Sequence, residues 1–291
     1  MEVKIGFCVA YDWEMLKYSL PLVYTHADRI CLSLDGDRVS WAGEKFHFDE
    51  TQFQSFLTLI DTQKKIYVLE ESFYLTGFSP MQNEVRQRNR MAESLGKGGW
   101  HIQLDCDEYF IDFNQFVQFL QESRNVRFKK TNICCGLITI FKKVSNGFLI
   151  IDRRDKYHIE AIAIATTEPF YEYGRRNGHF NFHTKFQILH QSWARNEEDI
   201  LLKVKNWGHK NDFDAMRFLG LWKSIDENNY KQIINFHPIQ ALQWHSLRYI
   251  RADSIEDLIA KIRTLKIKTY SNWELALKNS RLFSKINAVL R

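Results

Sequence analysis

Apolar residues fall in short runs that alternate with amphipathic stretches over the first 110 residues. Residues 5–10 form a short apolar run of the kind found in buried strands, and Met15, Leu16, Leu20 and Leu22 follow at helical spacing from Asp12 or Trp13. The unit then repeats. Residues 29–34 read as a second strand ending at Asp35-Gly36-Asp37, and Asp49-Glu50-Thr51-Gln52 has capping-box spacing ahead of Phe53, Phe56, Leu57 and Ile60. Residues 65–69 predict a third strand. Ser79-Pro80 supplies a cap and an N1 proline for a helix to about Leu95, which Gly96 closes, and residues 100–104 read as a fourth strand.

Strands separated by helices predict an α/β fold with a doubly wound, mostly parallel sheet and flanking helices, whose ligands bind beyond the carboxyl ends of the strands. Asp12, Asp35 and Asp105 stand at such ends. After a helix over 112–121 the texture changes: 132–141, 147–151 and 158–165 read as strands, followed by a polar, glycine-containing loop, so a mixed sheet is expected in the second half. Asn196-Glu197-Glu198-Asp199 is a cap with an acidic first turn leading to Ile200, Leu201, Val204 and Trp207, with Gly208 as the stop. From about Leu242 the expectation is helical, basic and apolar on one face. The predicted organisation is one domain over 1–240, divided near residue 110, and a helical extension over 241–291.

Composition narrows the partners. The 40 Lys and Arg exceed the 35 Asp and Glu by five over 291 residues, an excess that suits a phosphorylated ligand and excludes nucleic-acid coating. Five cysteines are scattered without metal-ligand spacing, which points to a reducing compartment. The first ten residues lack the basic flank and long apolar stretch of a signal peptide, and no apolar run nears the roughly 20 residues of a bilayer span. A cytoplasmic protein is expected. The basic residues interleaved with Leu258, Ile262, Leu265, Leu275, Leu282 and Leu290 add the expectation of peripheral contact with the inner face of a membrane, against the competing reading of a helical layer packed on the fold.

The chemistry is concentrated in Leu104-Asp105-Cys106-Asp107-Glu108. Residues two apart on an extended chain point to one side, so both aspartates can face one cavity, where a hard divalent ion such as Mn2+ or Mg2+ would neutralise them. The alternative is a polar strand end whose acids cap the next helix, although Asp112 already fills that role.

From residue 5 to 109 the chain resembles the GT-A glycosyltransferases, more narrowly family 2 and its bacterial surface-polysaccharide and lipopolysaccharide members. The resemblance rests on Ala10-Tyr11-Asp12-Trp13-Glu14 after the first strand, Leu34-Asp35-Gly36 after the second, Arg88-Asn89 on a helix, and Asp105-Cys106-Asp107-Glu108. It implies that Ala10, Tyr11, Asp12, Glu14 and Asp35 hold base and ribose, that Arg88, Asn89 and Asp105 line the nucleotide pocket, and that Asp107 binds the metal, assisted by Asp105. Less firmly, Ile188-Leu189-His190-Gln191-Ser192-Trp193-Ala194-Arg195 resembles the segment that supplies a further metal or diphosphate ligand, here His190, ahead of its rivals His179, His183 and His209.

Arg175 and Arg176, in a turn-rich loop, are candidates for phosphate or sugar oxygens. Trp193 is a candidate for sugar stacking. The family's catalytic carboxylate has no evident counterpart; Glu168 and Glu172 are the candidates, with Glu160 behind them. The implied activity is inverting transfer from a nucleotide-diphosphate sugar to a glycan or lipid-linked acceptor. The alternatives are a sugar-phosphate nucleotidyltransferase, for which a glycine-rich phosphate loop after the first strand is missing, and a catalytically silent sugar-binding module.

Overall fold

In a computed structural model, which describes residues 1–123, 130–152, 159–206, 213–265 and 267–281, the alternation of the first 105 residues becomes a parallel half-sheet. Its strands are β1 (Val3–Val9), β2 (Arg29–Asp35), β3 (Ile66–Glu71) and β4 (Trp100–Asp105), with α1 (Leu16–Tyr24), α2 (Glu50–Ile60) and α3 (Pro80–Leu95) between them. β1 pairs in parallel with β2 and β4, and β2 with β3, so the order is β4-β1-β2-β3. Every residue of β1 is buried, because strands covered on both faces need no polar side.

The local signals act as their chemistry requires. Ser79 accepts from Gln82 N while Gln82 returns a bond to Ser79 N, and Gly96 ends α3 at φ +75°, a conformation that costs a glycine little. Asp49 and Asp112 cap α2 and α4 (Phe113–Glu122) through Gln52 N and Gln115 N, each cap being worth about 1 kcal/mol. A Cβ on Gly6 would stand 2.6 Å from Sδ of Met91, so glycine is what lets α3 lie close on β1.

The second half is mixed, as expected. β5 (Glu108–Phe110) is followed by α4, β6 (Thr131–Val144), β7 (Gly147–Asp152), β8 (Ala161–Thr166) and β9 (Phe180–His190), then α5 (Glu197–Asn206) and α6 (Ala215–Ser224). β8 runs antiparallel between β4 and β6, welding the two halves into one sheet. β9 lies parallel to β6 and antiparallel to β5.

One expectation about the chain's end is corrected. Ser246–Arg251, expected within a helical run, is a strand (β10) that pairs antiparallel with β7. The sheet thus continues past residue 240, because the open edge of β7 supplies backbone partners that outweigh helix propensity. Beyond it α7 (Ile255–Thr264) and α8 (Asn272–Lys278) are helical. The apolar stripe of α7, Ile255, Leu258, Ile259 and Ile262, packs with Tyr109, Ile111 and Leu189, so this stripe belongs to the core. Among the described residues no helix is long and apolar enough to cross a membrane. The positions read at His158, Trp207, Gly208, His209, Lys266 and 282–291 lie outside the described residues.

Candidate functional site

The carboxyl ends of β1, β2 and β4 open into one cleft of about 1120 Å³. Trp13 packs edge-on against Phe53, ring centroids 5.4 Å apart, and this anchors the turn after β1 so that Ala10, Tyr11 and Asp12 line the cleft. At the end of β4 the chain turns tightly, with Glu108 accepting from Asp105 N at 3.0 Å. β5 then returns against β9 with Glu108 opposite His190, which brings His190 Nε2 to 3.5 Å from Asp107.

Around this turn four cations converge on the carboxylates. Arg88, buried in the middle of α3, donates to Asp105 at 2.8 Å and to Glu84 at 2.9 Å. Arg175, from the loop between β8 and β9, reaches Asp105 at 2.9 Å and Glu108 at 2.8 Å. Arg195 joins Asp107 at 2.5 Å to Asp12 at 3.0 Å, and Lys203 on α5 stands 3.4 Å from Asp107.

The charges respond accordingly. Burial works against the ionised form of Asp107, but Lys203, His190 and Arg195 outweigh it and hold the carboxyl well below the usual range. Asp105 is likewise lowered: burial opposes its charge, and Arg88 and Arg175 prevail. For Glu108 burial wins over Arg175, and its carboxyl is raised.

This donor set does not fit a resident divalent ion as arranged. Both oxygens of Asp105 accept from guanidinium groups, and Oδ2 of Asp107 meets Arg195, Lys203 and His190. Among the described residues no three His, Cys, Asp or Glu side chains converge to hold a metal. An ion beside Asp107 would face two fixed cations, and like unit charges about 4 Å apart repel by about 4 kcal/mol at an effective dielectric of about 20. Asp105, Asp107 and His190 share the cleft; the two aspartates are partnered by the chain's own cations, and His190 stands against Asp107.

The other residues singled out in the sequence divide. Arg88, Arg175 and Arg176 line the cleft, Arg176 from an exposed position over the Tyr173 ring. Asp35 also lines it, but Oδ1 accepts from Asp37 N and Val39 N and Oδ2 from Phe73 N and Tyr74 N. Four backbone donors make Asp35 a fastener of the loops after β2 and β3, not an open acceptor for ribose. Glu14 is exposed, pairs with Lys17 and lies outside the lining. Asn89 points away too, clamping Tyr171 through both its backbone N–H and C=O, and so fixes the loop that carries Arg175.

Glu168 and Glu172 are exposed and outside the lining, whereas Glu160 is within it, as are Ile159, Asn181 and His183. Trp193 is buried edge-on against Phe218, a core residue with no face for a sugar. Reading the segment around His190 for its imidazole alone misses Arg195 and Lys203, and reading Asp-x-Asp alone misses Glu108.

No family model and no curated protein sequence matches the chain. Among solved structures it resembles TarS of S. aureus (residues 1–349), at 9% identity and TM-score 0.31, over 47% of this chain and 36% of that one. It also resembles UDP-glucose pyrophosphorylase complexed with UDP-glucose, at 10% identity and TM-score 0.30, over 91% and 100% of the two chains. A third likeness is to 4-diphosphocytidyl-2C-methyl-D-erythritol synthase, at 10% identity and TM-score 0.29, over 90% and 95%.

Proposed function

We propose that the cleft binds a nucleotide-diphosphate sugar and that the chain transfers the sugar to an acceptor hydroxyl, as a glycosyltransferase of surface-glycan synthesis. The observation that carries the reading is the network of Asp12, Asp105, Asp107 and Glu108 with Arg88, Arg175, Arg195 and Lys203 at the carboxyl ends of β1 and β4. Sheets of this kind bind nucleotides at that edge, and a fixed array of charges can position a diphosphate and stabilise it as it leaves.

Tyr11, Asp12, Arg88, Asp105 and Glu160 all line the cleft; in this reading Tyr11 and Asp12 hold the nucleoside, Arg88 and Asp105 flank the diphosphate, and Glu160 faces the acceptor. The acceptor oxygen attacks the anomeric carbon, the bond from that carbon to the diphosphate oxygen breaks with its electron pair, and Glu160 takes the acceptor proton. The nucleoside diphosphate leaves as an anion. A glycan or lipid-linked acceptor, and peripheral contact with an anionic membrane, belong to the same proposal.

The test is to incubate the full chain with a panel of nucleotide sugars and follow release of nucleoside diphosphate, with and without candidate glycan acceptors. Release from one donor supports the reading. If no donor is turned over but sugar 1-phosphate and nucleoside triphosphate give pyrophosphate, the chain is a nucleotidyltransferase instead; if neither occurs and no nucleotide binds, the reading fails.

A further inference from the structure

The geometry points to a donor site in which guanidinium and ammonium groups of the chain take the place of a divalent ion, so that a nucleoside diphosphate binds without metal. The inference rests on the nucleotide-sugar reading and deepens it. The sequence leads one to expect two aspartates waiting for a cation. In the fold each aspartate already holds two cations of the chain, Arg88 and Arg175 on Asp105, and Arg195 and Lys203 on Asp107.

These cations are only partly spent on the carboxylates. Arg88 Nη1, Nε and Nη1 of Arg175, and Nε and Nη1 of Arg195 are buried and have no hydrogen-bond partner. A guanidinium carries five donors in a rigid fork suited to phosphate oxygens, and leaving such donors unmatched is costly. All three arginines and Lys203 line the cleft, and Arg176 adds an exposed charge at its rim. An oxygen-rich dianion, shared between the forks by small rotations away from the carboxylates, is the ligand chemistry that would match them. Asp105 and Asp107 then act as positioning residues: they keep four cations from separating and orient them.

The arrangement also has a built-in hold on Lys203. It projects from α5, its ammonium facing Asp107 with a side chain only 12% exposed, so it is largely withdrawn from bulk water and cannot serve as an ordinary surface charge.

The test is calorimetric titration of the full chain, stripped with chelator, with UDP, GDP, CDP, dTDP and ADP, in EDTA and again in excess Mn2+ or Mg2+. The expected result is that a nucleoside diphosphate binds in EDTA no more than about threefold more weakly than with metal. A larger loss in EDTA overturns the inference and leaves the nucleotide reading standing. Binding of no nucleotide in either condition overturns both. As a second arm, Lys203→Gln, a milder change than removal of a buried arginine, is expected to weaken the diphosphate by about tenfold or more while binding of the phosphate-free nucleoside stays as it was. Equal loss for both ligands, or for neither, overturns the assignment of Lys203 to the diphosphate.

Discussion

Nη2 of Arg195 lies 2.5 Å from Oδ2 of Asp107, a contact between residues 88 positions apart that fastens the turn after β9 to the end of β4. The same guanidinium reaches Asp12, so one side chain joins the turn after β1, the Asp-x-Asp turn and the approach to α5. Arg195 and Asp107 are both buried, so removing either leaves the other's charge without its nearest compensation.

Asp107→Ala therefore removes the partner of two cations. We expect it to lower unfolding free energy by about 3–5 kcal/mol, because Lys203 is left without its carboxylate and Arg195 keeps only Asp12. Urea denaturation followed by circular dichroism measures this. A loss under about 1 kcal/mol would mean that Arg195 and Lys203 find other partners and that the ion pairs contribute little.

Asp35→Ala is expected to destabilise by about 2–4 kcal/mol, since four buried or part-buried backbone donors lose a charged acceptor together. Asp35→Asn, which retains one carbonyl oxygen, should fall between it and the parent. Donor binding at a temperature where the variant stays folded would drop through loop disorder. If stability were unchanged while ribose-containing ligands alone bound more weakly, Asp35 would be a contact residue after all.

Glu160→Gln tests the proton acceptor. The expected outcome is a fall in kcat of about 100- to 10,000-fold with the donor KM unchanged, the range for loss of a general base. Glu168→Gln and Glu172→Gln, outside the cleft, should retain parental turnover. Full activity in Glu160→Gln would mean that a different acid takes the proton.

Stability should also fall on mild acidification through His101. Burial, and then the charge of Lys4, lower its imidazole from 6.5 to about 4. The unfolded chain therefore takes up the proton first: stability is complete above about 6.5, declines as pH falls toward about 4, and loses at most about 3 kcal/mol from this residue. His101→Leu should flatten that slope in melts run from pH 7 to pH 4, with the parent as control.

How much of this was open to reading from the sequence depends on the range of the forces involved. Apart from β5, strand and helix positions over residues 1–122 follow from short apolar runs, caps and stops, all local, and α3 begins and ends at Ser79 and Gly96 as their chemistry dictates. β9 went unassigned in the sequence despite a period-2 pattern in Phe180, Phe182, Thr184, Phe186 and Ile188, and β10 was masked by the basic, apolar texture of the segments around it. The clustering of Asp12, Asp105 and Asp107 at one edge was likewise legible, because a parallel sheet aligns its carboxyl ends, while Arg88 came only with the family resemblance.

What each of these groups faces was decided only in three dimensions. Asp35 looks like a ligand from its place after β2, and becomes a fastener because the loop after β3 folds its N–H groups onto it. Asn89 looks like a pocket residue beside Arg88, and clamps Tyr171 because adjacent residues on a helix point about 100° apart. Asp105 and Asp107 look like metal ligands until Arg175 and Arg195 arrive from 70 and 88 residues away, and no spacing along a chain encodes such a pairing. The sequence by itself determined which charges this protein owns and which sheet edge gathers many of them; the packing of distant loops determined which of them neutralise one another and which keep unmatched donors.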